Sequence, residues 1–146
     1  MRWILLVILF LAALPVIPAA HALTDAMTGV VSGERFAKCT GSPRFTCVVD
    51  GDTLWLRGTK IRISDINTPE ISRPGCAHEA RLGALATQRI IGLLNAGAFT
   101  LEREGRDEDR YGRKLRAVKR GGRSLGEVLV AEGLAERWTG RRRDWC

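Results

Sequence analysis

From Thr53 to Ser64 apolar and polar residues alternate: Leu54 and Leu56 stand among Thr53, Trp55 and Arg57, and Ile61 and Ile63 among Lys60, Arg62 and Ser64. A period of two belongs to half-buried strands, and Gly58 between the two runs supplies a turn, so the stretch predicts a β-hairpin. Asp52 shares the parity of Leu54 and Leu56, while Asp65 and Asn67 share that of Ile61 and Ile63. Three oxygen-bearing side chains are therefore expected at the mouth of one core. Pro69 must end the second strand, because it cannot donate to a ladder. Arg62 has the opposite parity and would turn toward the mouth only through strong coiling or a bulge after it.

Further on the period lengthens to that of a helix. Leu82, Leu85, Ala86, Ile90, Leu93 and Leu94 predict a helix over 76–96, with Gly97 as its cap and Glu79, Arg81 and Arg89 toward its solvated side. Residues 98–103 and 115–119 predict two more strands, the second ending at Gly121-Gly122. The Ser-x-x-Glu pattern from Ser124 to Glu127 is a capping box that opens a short helix with Val128 and Leu129 inward.

The first 22 residues read differently. Arg2 is their only charge, Trp3 to Leu14 is unbroken apolar sequence, and Ala20-His21-Ala22 is a small-x-small cleavage site, so residues 1–22 are expected to be a signal peptide. A membrane anchor is the rival reading, but the run is shorter than the ~20 residues of a spanning helix. Residues 23–146 are then one exported domain, periplasmic or secreted. The whole chain carries 23 basic and 16 acidic residues, a net charge of +7. Such a surplus draws polyanions, nucleic acid first and anionic membranes second. Cys39, Cys47, Cys76 and Cys146 make an even set with no Cys-x-x-Cys pair, which argues against zinc and thioredoxin-like chemistry. Of three possible pairings, Cys39 with Cys47 and Cys76 with Cys146 are favoured; the first closes a loop before the hairpin and the second ties down the tail.

Ten of the thirteen residues from Glu102 to Lys114 are charged, a composition that by itself describes a solvated loop. It contains Asp109-Arg110-Tyr111-Gly112-Arg113. Taken with Asp50-Gly51-Asp52-Thr53 and with Arg62 five residues ahead of Asn67-Thr68-Pro69-Glu70, that run resembles the staphylococcal nuclease (thermonuclease) family. The likeness spans about Thr46 to Trp138. It implies an α+β fold, mainly β: a five-stranded OB-fold barrel with two to three packed helices. It also implies calcium-dependent hydrolysis of phosphodiesters in DNA and RNA by a monomer, leaving 3′-phosphorylated products.

The residue chemistry is consistent with that implication. Residues 23–146 hold one histidine, His78, near the start of the expected helix, so hydrolysis has to rest on carboxylates, arginines and a metal. Carried over by resemblance, Asp52, Asn67 and the Thr68 carbonyl would hold the calcium, a cation that takes oxygen donors in irregular geometry. Glu70 would orient or deprotonate the attacking water, Arg62 and Arg113 would grip the phosphate, and Arg110 and Tyr111 would flank the nucleotide. One position departs from the family pattern: Asn67 stands where a second metal-binding aspartate is usual. Weaker metal binding or lower activity is the first expectation, and Asp65 is a candidate for restoring the lost charge. Asp50 is expected to stabilise the turn rather than bind the metal. The alternative to an exported nuclease is a catalytically weakened nucleic-acid-binding module on the same barrel; a third reading is a basic envelope protein with other contacts. Arg137, Trp138, Arg141, Arg142, Arg143 and Trp145 make the tail basic and aromatic, and two roles stay open for it: a solvated or tail-anchoring one, and nucleic-acid contact.

Overall fold

A computed structural model describes residues 29–146, so the expected leader lies outside the described residues. The elements are β1 (Val30–Val31), β2 (Cys47–Asp50), β3 (Thr53–Leu56), β4 (Thr59–Ile63), β5 (Ile66–Asn67), α1 (Ala77–Asn95), β6 (Phe99–Glu102), β7 (Lys114–Arg120), β8 (Arg123–Ser124), α2 (Leu125–Ala131) and β9 (Glu136–Arg137). The hairpin forms as the alternation requires. Arg57 and Gly58 make its two-residue turn with φ of 49° and 82°, the left-handed pair whose twist matches that of the flanking strands.

The sheet runs β1-β6-β7-β4-β3-β2, with β8 attached to β7, and β5 and β9 form a separate two-stranded ladder. β2, β3, β4, β7 and β6 supply the five principal strands, and β4 and β7 pair in parallel where the others are antiparallel. The fold is thus mixed α+β, a curled half-barrel with two helices, and β1, β8, β5 and β9 are short additions to the expected five strands. Leu54, Leu56, Ile61, Ile63, Leu101 and Val118 fill the curl, closed by Ala86, Ile90 and Leu94 of α1 and by Leu125 and Leu129 of α2.

Both helices start and stop where their sequences direct. Cys76 is the N-cap of α1, and the Ser124 hydroxyl of α2 accepts from the Glu127 amide at 3.3 Å. The apolar face of α1 is narrower than the periodicity suggested. Leu85 is 46% exposed, and Thr87 is buried with its hydroxyl donating to the Gly83 carbonyl. Glycine makes the close contacts possible: a Cβ on Gly51 would lie 2.7 Å from Thr68 Cγ2 and 2.8 Å from Ala86 Cβ, and one on Gly83 would lie 2.8 Å from the Pro69 carbonyl. Both favoured disulfides form, Cys39–Cys47 and Cys76–Cys146. The first sits beside Val48, where residues 37–39 pair along the free edge of β2.

Candidate active site

Gly51 and Asp52 turn the chain between β2 and β3, after a register shift between Val48 and Asp50. Asp52 leaves that turn still in step with β4, its carbonyl accepting the Ile63 amide at 2.8 Å, and the residue is buried. Its carboxylate meets Arg62 Nη1 at 2.8 Å, accepts the Thr68 amide at 3.0 Å and takes the Thr53 hydroxyl at 3.1 Å. Arg62 itself keeps the parity of β4, opposite Ile61 and Ile63, and is nonetheless buried. The chain bends at Ser64 and Asp65 and curls around the guanidinium, which donates to the Ile63 and Ile66 carbonyls and lies 5.5 Å from the Trp138 ring centre. The coiling that Arg62 needed is thus this bend, and the bulge falls in β2 instead.

The same bend separates the three oxygen-bearing residues expected to converge. Asp65 turns to the start of α2, where Oδ2 accepts the Ser124 hydroxyl at 2.5 Å and Oδ1 lies buried against Gly126. It lines neither cavity described below. Asn67 does not join Asp52 either. Its amide oxygen faces Arg62 Nη2 at 3.5 Å, and its nitrogen donates to Glu136 Oε1 at 3.0 Å. That orientation is fixed by chemistry, since a guanidinium can only donate and a carboxylate can only accept.

Glu70 follows Pro69 out of the strand. Its amide and that of Gly75 are both held by the Glu79 carboxylate, at 3.1 and 2.6 Å, so this residue of α1, expected on the solvated side, shapes the loop beneath the site. The Glu70 side chain pairs with Arg142 Nη1 at 2.7 Å. Across from it, Asp109 folds the 109–113 loop by accepting the amides of Tyr111 and Arg113 and the Arg113 guanidinium at 2.7 Å. Partial burial works against the Asp109 carboxylate, yet the hydrogen bonds from Arg113 and Tyr111 prevail and lower its pKa. The Tyr111 ring is 67% exposed, with Arg110 and Arg113 stacked 4.8 and 5.5 Å from its centre.

Asp50, Asp52, Glu70, Arg62, Arg113, Arg142 and the Thr68 segment line one cavity of about 30 Å³, room for an ion or a water. A larger groove of about 610 Å³ adjoins it, with Arg110, Tyr111 and Trp138 on its walls. Arg62, Arg113 and Arg142 line both. Burial and the neighbouring Asp52 charge push the Asp50 carboxyl up to about 6. Crowded carboxylates with hard oxygen donors are what a divalent cation would relieve, so Asp50, Asp52 and the Thr68 carbonyl suit such an ion in kind. Asn67 is not among the residues lining the small cavity, and among the described residues no three acidic, histidine or cysteine side chains already form a metal-binding group. Asp50 also accepts the Asp52 amide at 3.2 Å, the turn-stabilising contact expected of it.

Glu79, Glu136, Trp138 and Arg142 were given no particular role at the site from sequence. The Glu79 contact spans 9 residues, that of Glu136 69 and that of Arg142 72, and Trp138 reaches Arg62 across a longer stretch still, so no local pattern announced them.

A family model described as "Staphylococcal nuclease homologue" matches residues 60–144. The stretch starts within β4 and includes Arg62, Glu70, Arg113 and Arg142, whereas Asp50 and Asp52 precede it. Endonuclease YncB of Bacillus subtilis (strain 168) is 37% identical over 92 residues, which are 60% of this chain and 43% of that protein. SPbeta prophage-derived endonuclease YokF of the same strain is 37% identical over 92 residues, 60% of this chain and 31% of the relative. The chain spans less than half the length of either.

Proposed function

The chain belongs to the staphylococcal nuclease homologue family, and from that premise we propose that it is a calcium-dependent nuclease cleaving phosphodiester bonds of DNA or RNA. The observation that carries the reading is the shared wall of arginines. A small carboxylate-rimmed cavity and a wide aromatic groove meet along Arg62, Arg113 and Arg142, so a phosphate at the boundary has cations beside it and room for its bases in the groove. The relatives named endonuclease agree with this in general terms.

In this mechanism Arg62 and Arg113 hold the scissile phosphate by bidentate hydrogen bonds and offset the charge that grows on it. Asp52 and the Thr68 carbonyl, with Asp50 beside them, would hold the calcium, which supplies Lewis-acid polarisation of a phosphoryl oxygen. Glu70 orients a water and takes its proton as the oxygen attacks phosphorus. The bond to the 5′-oxygen breaks, that oxygen acquires a proton from solvent, and the phosphate stays on the 3′ side. Tyr111, with Arg110 behind it, offers a face that any base can stack on.

The domain is further proposed to act as a monomer after export. Two disulfides fit an oxidising compartment, and no helix among the described residues is long and apolar enough to cross a membrane. A second reading, a nucleic-acid-binding module without turnover, is favoured by Asn67 and by the pairing of Glu70 with Arg142. Digestion of single-stranded DNA by residues 23–146, in calcium and in chelator, separates the two. The nuclease degrades DNA only with calcium, and Glu70→Gln abolishes it; no degradation with calcium, or an equally active variant, refutes the proposal.

A further inference from the structure

Three side chains border both the small cavity and the groove, and two of them already have a place in the proposed reaction; the third is Arg142. Arg62 and Arg113 are buried or nearly so, each against its own carboxylate, with side chains 10% and 19% exposed. Arg142 is different. Its side chain is 64% exposed and its carboxylate partner is Glu70, the residue proposed to handle the water.

The segment that carries it is firmly attached. Cys146 is bonded to Cys76 at the N-cap of α1, Trp145 is buried with Arg143 stacked 5.0 Å from its ring centre, and the Arg143 amide donates to Glu136 Oε1 at 2.7 Å. Glu136 Oε1 is also the oxygen that Asn67 Nδ2 reaches. Asparagine at 67 can therefore donate where an aspartate would repel, and through Glu136 it helps to hold the backbone next to Arg142. The backbone is anchored while the guanidinium stays in solvent. Such a group can exchange one anion for another at little cost, because an exposed ion pair contributes little of its own.

We infer that Arg142 is a third phosphate-binding arginine, presented by the disulfide-anchored tail, which pairs with Glu70 until a nucleic-acid phosphate takes its place. This rests on the nuclease-family reading of the groove but not on turnover. When the phosphate arrives, the guanidinium passes to it and the Glu70 carboxylate is left free for water. Arg142 is then needed for binding and not for the chemical step.

The test is binding of a fluorescein-labelled single-stranded oligonucleotide, in chelator, across a salt series, so that it reports whether or not the chain cleaves. Arg142→Ala is expected to weaken binding about 10- to 100-fold, the range for a lost charged hydrogen bond. It should also flatten the log–log salt slope by about 0.7, one single-strand phosphate contact. Arg142→Lys should keep the slope and recover part of the affinity. Arg141→Ala, a neighbouring charge that borders neither cavity, should change affinity less than about twofold. Equal losses from Arg141→Ala and Arg142→Ala would reduce the effect to general charge and overturn the inference. So would unchanged or tighter binding by Arg142→Ala. A chain that binds in this pattern yet degrades nothing with calcium refutes the nuclease proposal alone.

Discussion

An aspartate at position 67 would face Glu136 Oε1 with a second acceptor across the 3.0 Å now spanned by the amide nitrogen. The charge gained would lie beside Arg62, but that guanidinium already has Asp52 at 2.8 Å, and the 3.5 Å contact to position 67 is the weaker one. The lost charge-assisted hydrogen bond therefore outweighs the gain. Asn67→Asp is expected to lower stability in chelator by about 1–2 kcal/mol, read as a shift in the urea midpoint, and an unchanged midpoint would show that the Asn67–Glu136 link holds nothing. At this scale the sequence spoke through residue type more than through direction. Asp52, Glu70, Arg62 and Arg113 could be picked out because the ordered runs that hold them resemble the staphylococcal nuclease family; by composition alone the run around Arg113 is a solvated loop. Where Asp65 and Asn67 point could not be read, because strand parity is valid only while the strand lasts, and theirs is broken by the bend at Ser64 and Asp65.

The elements were more legible than the contacts between them. The hairpin, the long helix and the capping box each announce themselves over a few residues, because period, turn and cap are local properties. How closely α1 approaches the site is not local, and it depends on glycines whose role appears only in three dimensions. In an isolated helix Gly83→Ala should help by about 1 kcal/mol. Here the added Cβ would lie 2.6 Å from Ile71 Cγ2, 2.8 Å from the Pro69 carbonyl and 3.0 Å from that of Glu70. Two of those atoms are backbone and cannot rotate away. The overpacking cost, typically about 1–3 kcal/mol, exceeds the propensity gain. Gly83→Ala is thus expected to lower the melting temperature and also to reduce cleavage, since the loop it displaces carries Glu70. A more stable variant with full activity would mean that α1 and the Pro69–Glu70 segment are not in such close contact.

Across the whole molecule, the two disulfides constrain very different lengths of chain. Cys39–Cys47 spans 8 residues and fastens a segment to the edge of β2, while Cys76–Cys146 spans 70 and returns the end of the chain to the start of α1. In the chain-entropy account the stabilisation grows with the logarithm of the loop, which gives about 2–3 kcal/mol for the shorter bridge and about 4 kcal/mol for the longer. The long bridge has packing beside it as well. Trp145 is only 8% exposed, and β9 pairs with β5 directly ahead of the Thr68-Pro69-Glu70 corner, so the tail unfolds together with the strand that leads into the site. Replacing both cysteines of the long bridge by serine should therefore cost more stability than replacing both of the short one, in urea unfolding at a common pH. The loss should appear as a lower midpoint of one transition, because a tail within the cooperative unit cannot detach early. A separate low-urea transition in the Cys76→Ser/Cys146→Ser variant, or a greater loss from the short bridge, would mean that the tail rests on the barrel without being part of it.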